Sequence, residues 1–210
     1  MNPEDKICAC HSISNLSSQY EARNQIIERK FSRECAPLLL ESDCEVVGAA
    51  LGCLYNLSSQ GAETVEHLVS QDIMTPLTAL IGQFGGIVNI EDKQQRQKRE
   101  QIITDSCYLL WNLLQESDQV LDMFNRSNLV SHLTPLITNI VSPGVRVASM
   151  SVLVTGCDNN KQCQDLVTPH MDTIANMVTD QGEDTLVRST AALLLVTACS
   201  DKQKIINDKV

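Results

Sequence analysis

Ile13-Ser14-Asn15-Leu16-Ser17-Ser18 recurs 41 residues later as Leu54-Tyr55-Asn56-Leu57-Ser58-Ser59, and a further 56 residues on as Leu110-Trp111-Asn112-Leu113-Leu114-Gln115. Weaker copies, Val154-Thr155-Gly156-Cys157 and Val196-Thr197-Ala198-Cys199, follow at spacings of 44 and 42, so five copies fill the 210-residue chain. A second unit keeps step with the first. It reads Arg33-Glu34-Cys35-Ala36-Pro37-Leu38-Leu39, then Ile73-Met74-Thr75-Pro76-Leu77-Thr78-Ala79-Leu80, then Val130-Ser131-His132-Leu133-Thr134-Pro135-Leu136-Ile137.

A period of 41 to 44 residues with helical patterning marks armadillo and HEAT repeats, in which each unit buries its apolar face only against its neighbours. The sequence therefore predicts an all-α fold, a right-handed α-α superhelix (α-solenoid) of about five repeats, forming one domain over residues 1–210. The Asn-Leu-Ser copies resemble armadillo repeats, up to about residue 140. From about 141 the pairs Val145-Arg146 and Val187-Arg188, each followed shortly by Ala, resemble HEAT repeats. The 56-residue interval exceeds the first by 15, and the excess predicts an inserted loop at about 82–100, from Gly82-Gln83-Phe84-Gly85-Gly86 to Lys93-Gln94-Gln95-Arg96-Gln97-Lys98-Arg99.

Within each copy, the positions two before and one after the Asn are Ile13/Leu16, Leu54/Leu57, Leu110/Leu113, Val154/Cys157 and Val196/Cys199, the expected core stripe. Six residues before it lie Ala9, Ala50, Ser106, Met150 and Ala192, small in four of the five, as close packing between stacked helices needs. Pro37, Pro76 and Pro135 stand where a helix can begin, because a first-turn proline gives up no needed donor.

Composition supports a helical reading: 43% of residues are hydrophobic, 20% charged and only 3% aromatic. No apolar run approaches a bilayer span and Met1-Asn2-Pro3-Glu4-Asp5-Lys6 is too polar for a signal peptide, so a soluble, intracellular protein is expected. In that setting the nine cysteines read as reduced, mostly buried thiols. The net charge is −10, and no basic residue lies between Arg33 and Lys93, where nine acids stand: Glu34, Glu41, Asp43, Glu45, Glu63, Glu66, Asp72, Glu91 and Asp92. Such a field repels nucleic acid and favours encounter with a basic protein or peptide, an attraction that salt weakens. A solvated acidic surface that only aids solubility is the alternative.

Function must come from the face that is not core. Asn15, Asn56 and Asn112 are polar residues recurring in register inside apolar helices, where Asn is a mediocre helix former. In an armadillo stack the helices that carry them line a concave groove. There a carboxamide can donate to and accept from the main chain of an extended peptide. One turn earlier on the same face lie His11, Gly52 and Tyr108, with Tyr108 the candidate aromatic platform. The polar ladder stops after three rungs, since the later pairs are Val152/Gly156 and Leu194/Ala198. The alternative is that these Asn residues only tie adjacent repeats together. Tyr55 and Trp111 read as packing residues. The four histidines share no motif with a nucleophile or a carboxylate pair, and Gly85-Gly86 lacks the Lys-Ser/Thr of a phosphate loop, so neither an enzyme nor a cofactor is expected. In Cys8-Ala9-Cys10-His11 the two thiols of a helix point in nearly opposite directions, which argues against a shared metal ion.

The segment Leu68-Val69-Ser70-Gln71-Asp72-Ile73-Met74-Thr75-Pro76-Leu77, with Leu110-Trp111-Asn112 and Val120-Leu121-Asp122-Met123-Phe124-Asn125, resembles the HEAT repeat-containing protein 3 family, also called symportin. The resemblance covers roughly residues 5–140 well and the rest loosely. It implies a mixed armadillo-then-HEAT adaptor in cytoplasm and nucleus. Its inner surface would hold a basic segment of the ribosomal proteins of the 5S particle for import, with a nuclear import carrier as a second partner and no direct nucleic acid or membrane contact. The family's basic N-terminal import signal, long acidic insertion and C-terminal HEAT array are missing, which leads to the expectation of an N-terminal fragment or truncated member. Ile205-Ile206-Asn207-Asp208-Lys209-Val210 is expected to fall inside a next helix. A scaffold that binds a folded partner through its outer surface or inserted loop is the alternative function.

Overall fold

A computed structural model of the chain describes residues 2–84, 92–137, 141–158 and 160–207. The five aligned copies become α1 (Pro3–Ser17), α4 (Cys44–Ser58), α7 (Lys93–Glu116), α10 (Pro143–Cys157) and α13 (Thr185–Asn207). These helices pack side by side in that order, and shorter helices fill the intervals. The intervals hold α2 (Tyr20–Glu28) and α3 (Phe31–Cys35), α5 (Ala62–Ser70) and α6 (Met74–Phe84), α8 (Asp118–Arg126) and α9 (Leu129–Leu133), and α11 (Lys161–Val167) and α12 (Met171–Thr179). Tight 3-10 turns at Ala36–Leu40 and Thr134–Ile137 prolong α3 and α9. This is the expected all-α solenoid, and no strand occurs among the described residues.

Local chemistry fixes where the row helices start. Asn2 Oδ1 accepts from Asp5 N at 2.8 Å, Asp43 Oδ1 from Glu45 N at 2.9 Å, Asp92 Oδ1 from Gln95 N at 2.8 Å, and Asp184 Oδ1 from Leu186 N at 2.8 Å. Each such cap contributes about 1 kcal/mol by satisfying a donor that the helix itself cannot. Pro37, Pro76 and Pro135 all lie in the first turn of a helical segment.

The core stripe holds in the middle of the array and fails at its ends. Leu54, Leu57, Leu110, Leu113 and Cys157 are buried, whereas Leu16 is 44% and Val196 67% exposed. The cause is geometric, because among the described residues α1 packs on one row helix, α4, and α13 on one, α10. Leu186 and Leu193 add to the exposed apolar side of α13. Ala50, Ser106 and Met150 are fully buried between row helices, so the larger Met is accommodated.

Two expectations are corrected. The inserted segment at about 82–100 is mostly helix: Gly82 lies in α6, and Lys93–Arg99 form the first two turns of α7. Residues 85–91, with Gly85-Gly86 and Glu91, lie outside the described residues. The Asp43 cap stands 13 residues before Asn56 and the Asp92 cap 20 before Asn112, so α7 starts seven residues early, roughly 10 Å of helix. At the other end, Ile205-Ile206-Asn207 continue α13 rather than starting a new helix.

Candidate functional site

The Asn residues lie on neighbouring row helices and reach backwards. Asn56 Nδ2 donates to Ser14 Oγ at 2.6 Å, and Asn112 Nδ2 donates to Ser58 Oγ at 3.0 Å. Each bond ties a repeat to the preceding one, as the tie reading requires. It uses one of the two amide hydrogens and none of the carbonyl lone pairs. Asn15 and Asn56 are exposed and Asn112 is half-buried. Asn56 and Asn112 therefore brace the stack and keep hydrogen-bonding capacity on its surface. One interval further on, Trp111 Nε1 donates to Thr155 Oγ1 at 3.0 Å. Trp111 is thus a packing and tying residue, while Tyr55, 38% exposed, is more open than a packing residue should be.

The ladder stops for a steric reason. Gly156 occupies the fourth rung, and a Cβ there would stand 2.5 Å from Phe124 Cε1. The Phe124 ring, fully buried, fills the space that an asparagine would need.

His11 and Gly52 line a groove of about 310 Å³ across α1, α4 and α7, together with Ile7, Ser14, Glu45, Gly48, Ala49, Cys53 and Asp105. Tyr108 is not among its lining; it is half-buried and inclined at 58° to Trp111 with ring centroids 6.5 Å apart. Burial pushes the Tyr108 hydroxyl above the usual phenol range. Sequence reasoning did not single out Ser14, Gly48 or Asp105 as groove residues. Gly48 stands one turn before Gly52, a signal that was available, whereas Asp105 reaches the groove from another helix.

The acidic field is partly answered from outside the base-free stretch. Lys6 Nζ meets Glu41 Oε1 at 2.6 Å and Lys98 Nζ meets Glu45 Oε1 at 2.6 Å. Asp105 accepts from Gln101 Nε2 at 2.9 Å, and burial pushes its carboxyl up against that hydrogen bond. A second basic feature sits at the far end of α7, where Lys93, Arg96 and Gln97 line a larger groove of about 820 Å³ with Ser142 and Gly144 at the start of α10.

Among the described residues, no group of three His, Cys, Asp or Glu side chains could hold a metal ion. Cys8 is exposed and Cys10 buried against Cys35, with sulfurs 4.0 Å apart. All nine cysteines are free, six of them buried. No described helix is long and apolar enough to cross a membrane.

No family model matches the chain. By sequence it is similar to HEAT repeat-containing protein 3 of Homo sapiens, 31% identical over 149 residues that cover 65% of this chain and 22% of that protein. The Mus musculus protein of the same name is 33% identical over 130 residues, covering 59% and 19%. The chain thus spans about a fifth of the length of the curated relatives it matches. This similarity relates it to the HEAT repeat-containing protein 3 family, in line with the resemblance carried by Asp72–Leu77. Among solved structures, a designed armadillo repeat protein in complex with the peptide (KR)4 superposes with TM-score 0.71 at 16% identity, over 90% of this chain and 74% of that one. The armadillo repeats only protein of Plasmodium falciparum gives 0.67 at 12%, over 91% and 79%. These likenesses establish the armadillo-type solenoid.

Proposed function

We propose that the chain is a non-enzymatic protein-binding adaptor that holds a basic, extended segment along the face formed by α1, α4 and α7. The observation that carries this reading is the row of Asn15, Asn56 and Asn112. Two of these are already oriented by bonds to the preceding repeat, and the groove beside them is lined by Glu45 and Asp105. One backbone hydrogen bond contributes on the order of 1 kcal/mol net, so three rungs hold a peptide only with help from charge. The designed armadillo protein that takes (KR)4 is a precedent on the same fold. The kinship to HEAT repeat-containing protein 3 supports a finer reading. In it the segment belongs to a ribosomal protein of the 5S particle, carried between cytoplasm and nucleus for import with the help of a carrier. The test is a titration of a Lys/Arg-rich ribosomal-protein peptide against wild type and the Asn15/Asn56/Asn112→Ala variant. Equal affinities, or affinity indifferent to salt, overturn the proposal.

The early start of α7 favours a second reading. Lys93, Arg96, Lys98 and Arg99 ride on two turns of helix that the other row helices lack, a surface on which a folded partner could dock. Shortening α7 to begin at Glu100 abolishes binding under this reading and leaves it undiminished under the first.

A further inference from the structure

We propose that the trough over Gly48 and Gly52 is the subsite for one lysine or arginine side chain of the bound segment, and that Lys98 is the chain's own stand-in for that cation at Glu45. The inference rests on the reading of this face as a peptide groove. Gly48 and Gly52 lie one turn apart on α4, with walls supplied by Ile7 and His11 of α1 and Asp105 of α7. A Cβ added at either glycine would meet nothing within 4 Å, so packing does not ask for glycine there. Helix propensity disfavours it. What the two glycines leave is depth, over a floor continued by Ala49 and Cys53, with carboxylates on two sides. That combination suits a side chain with an aliphatic stem and a cationic head.

Two independent observations point to the cation. Lys98 already places its ammonium on Glu45 at 2.6 Å, so this carboxylate is positioned to receive one. Lys98 and Asp105 are seven residues apart on one face of α7, which puts Asp105 two turns further along the same wall. Asp105 is half-buried, and its one hydrogen-bond partner among the described residues is the neutral Gln101. A carboxylate partly withdrawn from water without a cation favours one that arrives. The Lys98–Glu45 pair is 49% and 64% exposed, so it is weak and an incoming cation can displace it.

The experiment is calorimetric titration of wild type, Asp105→Asn, Gly52→Leu and Lys98→Ala with a Lys-Arg alternating octapeptide, with thermal melts to confirm that each variant folds. Asp105→Asn and Gly52→Leu are expected to weaken binding about fivefold or more, and Lys98→Ala to tighten it about two- to threefold as the internal competitor disappears. If wild type binds and loses affinity in Asn15/Asn56/Asn112→Ala, but Asp105→Asn and Gly52→Leu bind as wild type does, the subsite is overturned and the groove stands. If wild type does not bind the peptide, the groove reading falls and takes the subsite with it.

Discussion

Asn56 donates a hydrogen bond to Ser14 across 2.6 Å, joining α4 to α1 on the face where a peptide would lie. Bracing and binding can be separated because the brace uses a single amide hydrogen. Ser14→Ala should lower stability by about 1 kcal/mol and, by releasing Asn56 from its orientation, weaken peptide binding less than removal of the asparagine itself does. Asn56→Ala should lower both. Chemical denaturation and titration on the same two variants check this, and a loss of affinity in Ser14→Ala equal to that in Asn56→Ala would assign the asparagine to bracing alone.

Arg146 and Glu183 form a bidentate pair in which both side chains are 7% exposed, tying α10 to the turn before α13. The Arg146 guanidinium holds the Glu183 carboxyl below its usual range. A depressed carboxylate contributes stability that is present above the unfolded-state value near 4.3 and is lost as pH falls through the lower folded value. Glu183→Gln should therefore destabilise the protein at neutral pH by about 3 kcal/mol, at the low end for a buried pair because Gln181, Gly182 and Asp184 around it are exposed. It should also flatten the loss of stability below about pH 4. Denaturation curves at pH 7 and 3.5 decide it.

Two glycines on the same row should respond with opposite signs. Gly156→Ala places a Cβ 2.5 Å from the Phe124 ring and should cost about 1–3 kcal/mol, the range for overpacking a filled core. Gly52→Ala meets nothing within 4 Å and should stabilise by about 0.4–1 kcal/mol through the unfolded state and helix propensity. Melting temperatures that moved in the same direction would contradict the assignment of these two positions.

Thiol reactivity should divide sharply. Cys107 is pushed up to about 12 by burial, and Cys157 is raised by its hydrogen bond to Cys163 and by burial, while Cys8 is exposed. An aromatic disulfide reagent at pH 8 should label Cys8 first and the six buried cysteines only on unfolding. Mass mapping of the labelled sites reads the order.

The periodicity of the Asn-Leu-Ser copies was enough to locate the row helices and the three rungs, because spacing alone determines which side chains share a helix face. The early start of α7 was not legible in that way. Lys93-Gln94-Gln95-Arg96-Gln97-Lys98-Arg99 contains no apolar residue and therefore no periodicity, although every residue in it is a good helix former and Asp92 caps it. The groove was half legible. His11 and Gly52 follow from a one-turn offset and Glu45 stands two turns before Gly52 on α4, but Asp105 meets the groove from α7 through lateral packing, which no single helix records. Leu16 and Val196 failed as core residues because a periodic pattern does not reveal which helix has a neighbour on only one side.

The ring of Phe124 resting on Gly156 gives the trough a ruler. Three rungs span two helix-to-helix intervals of about 8–10 Å each, and extended chain advances about 3.3 Å per residue. On the proposed reading the footprint is five or six residues, beyond which a bound segment would find no further asparagine rung. Short basic tracts of that length should saturate this surface, and extending them should gain affinity only through charge.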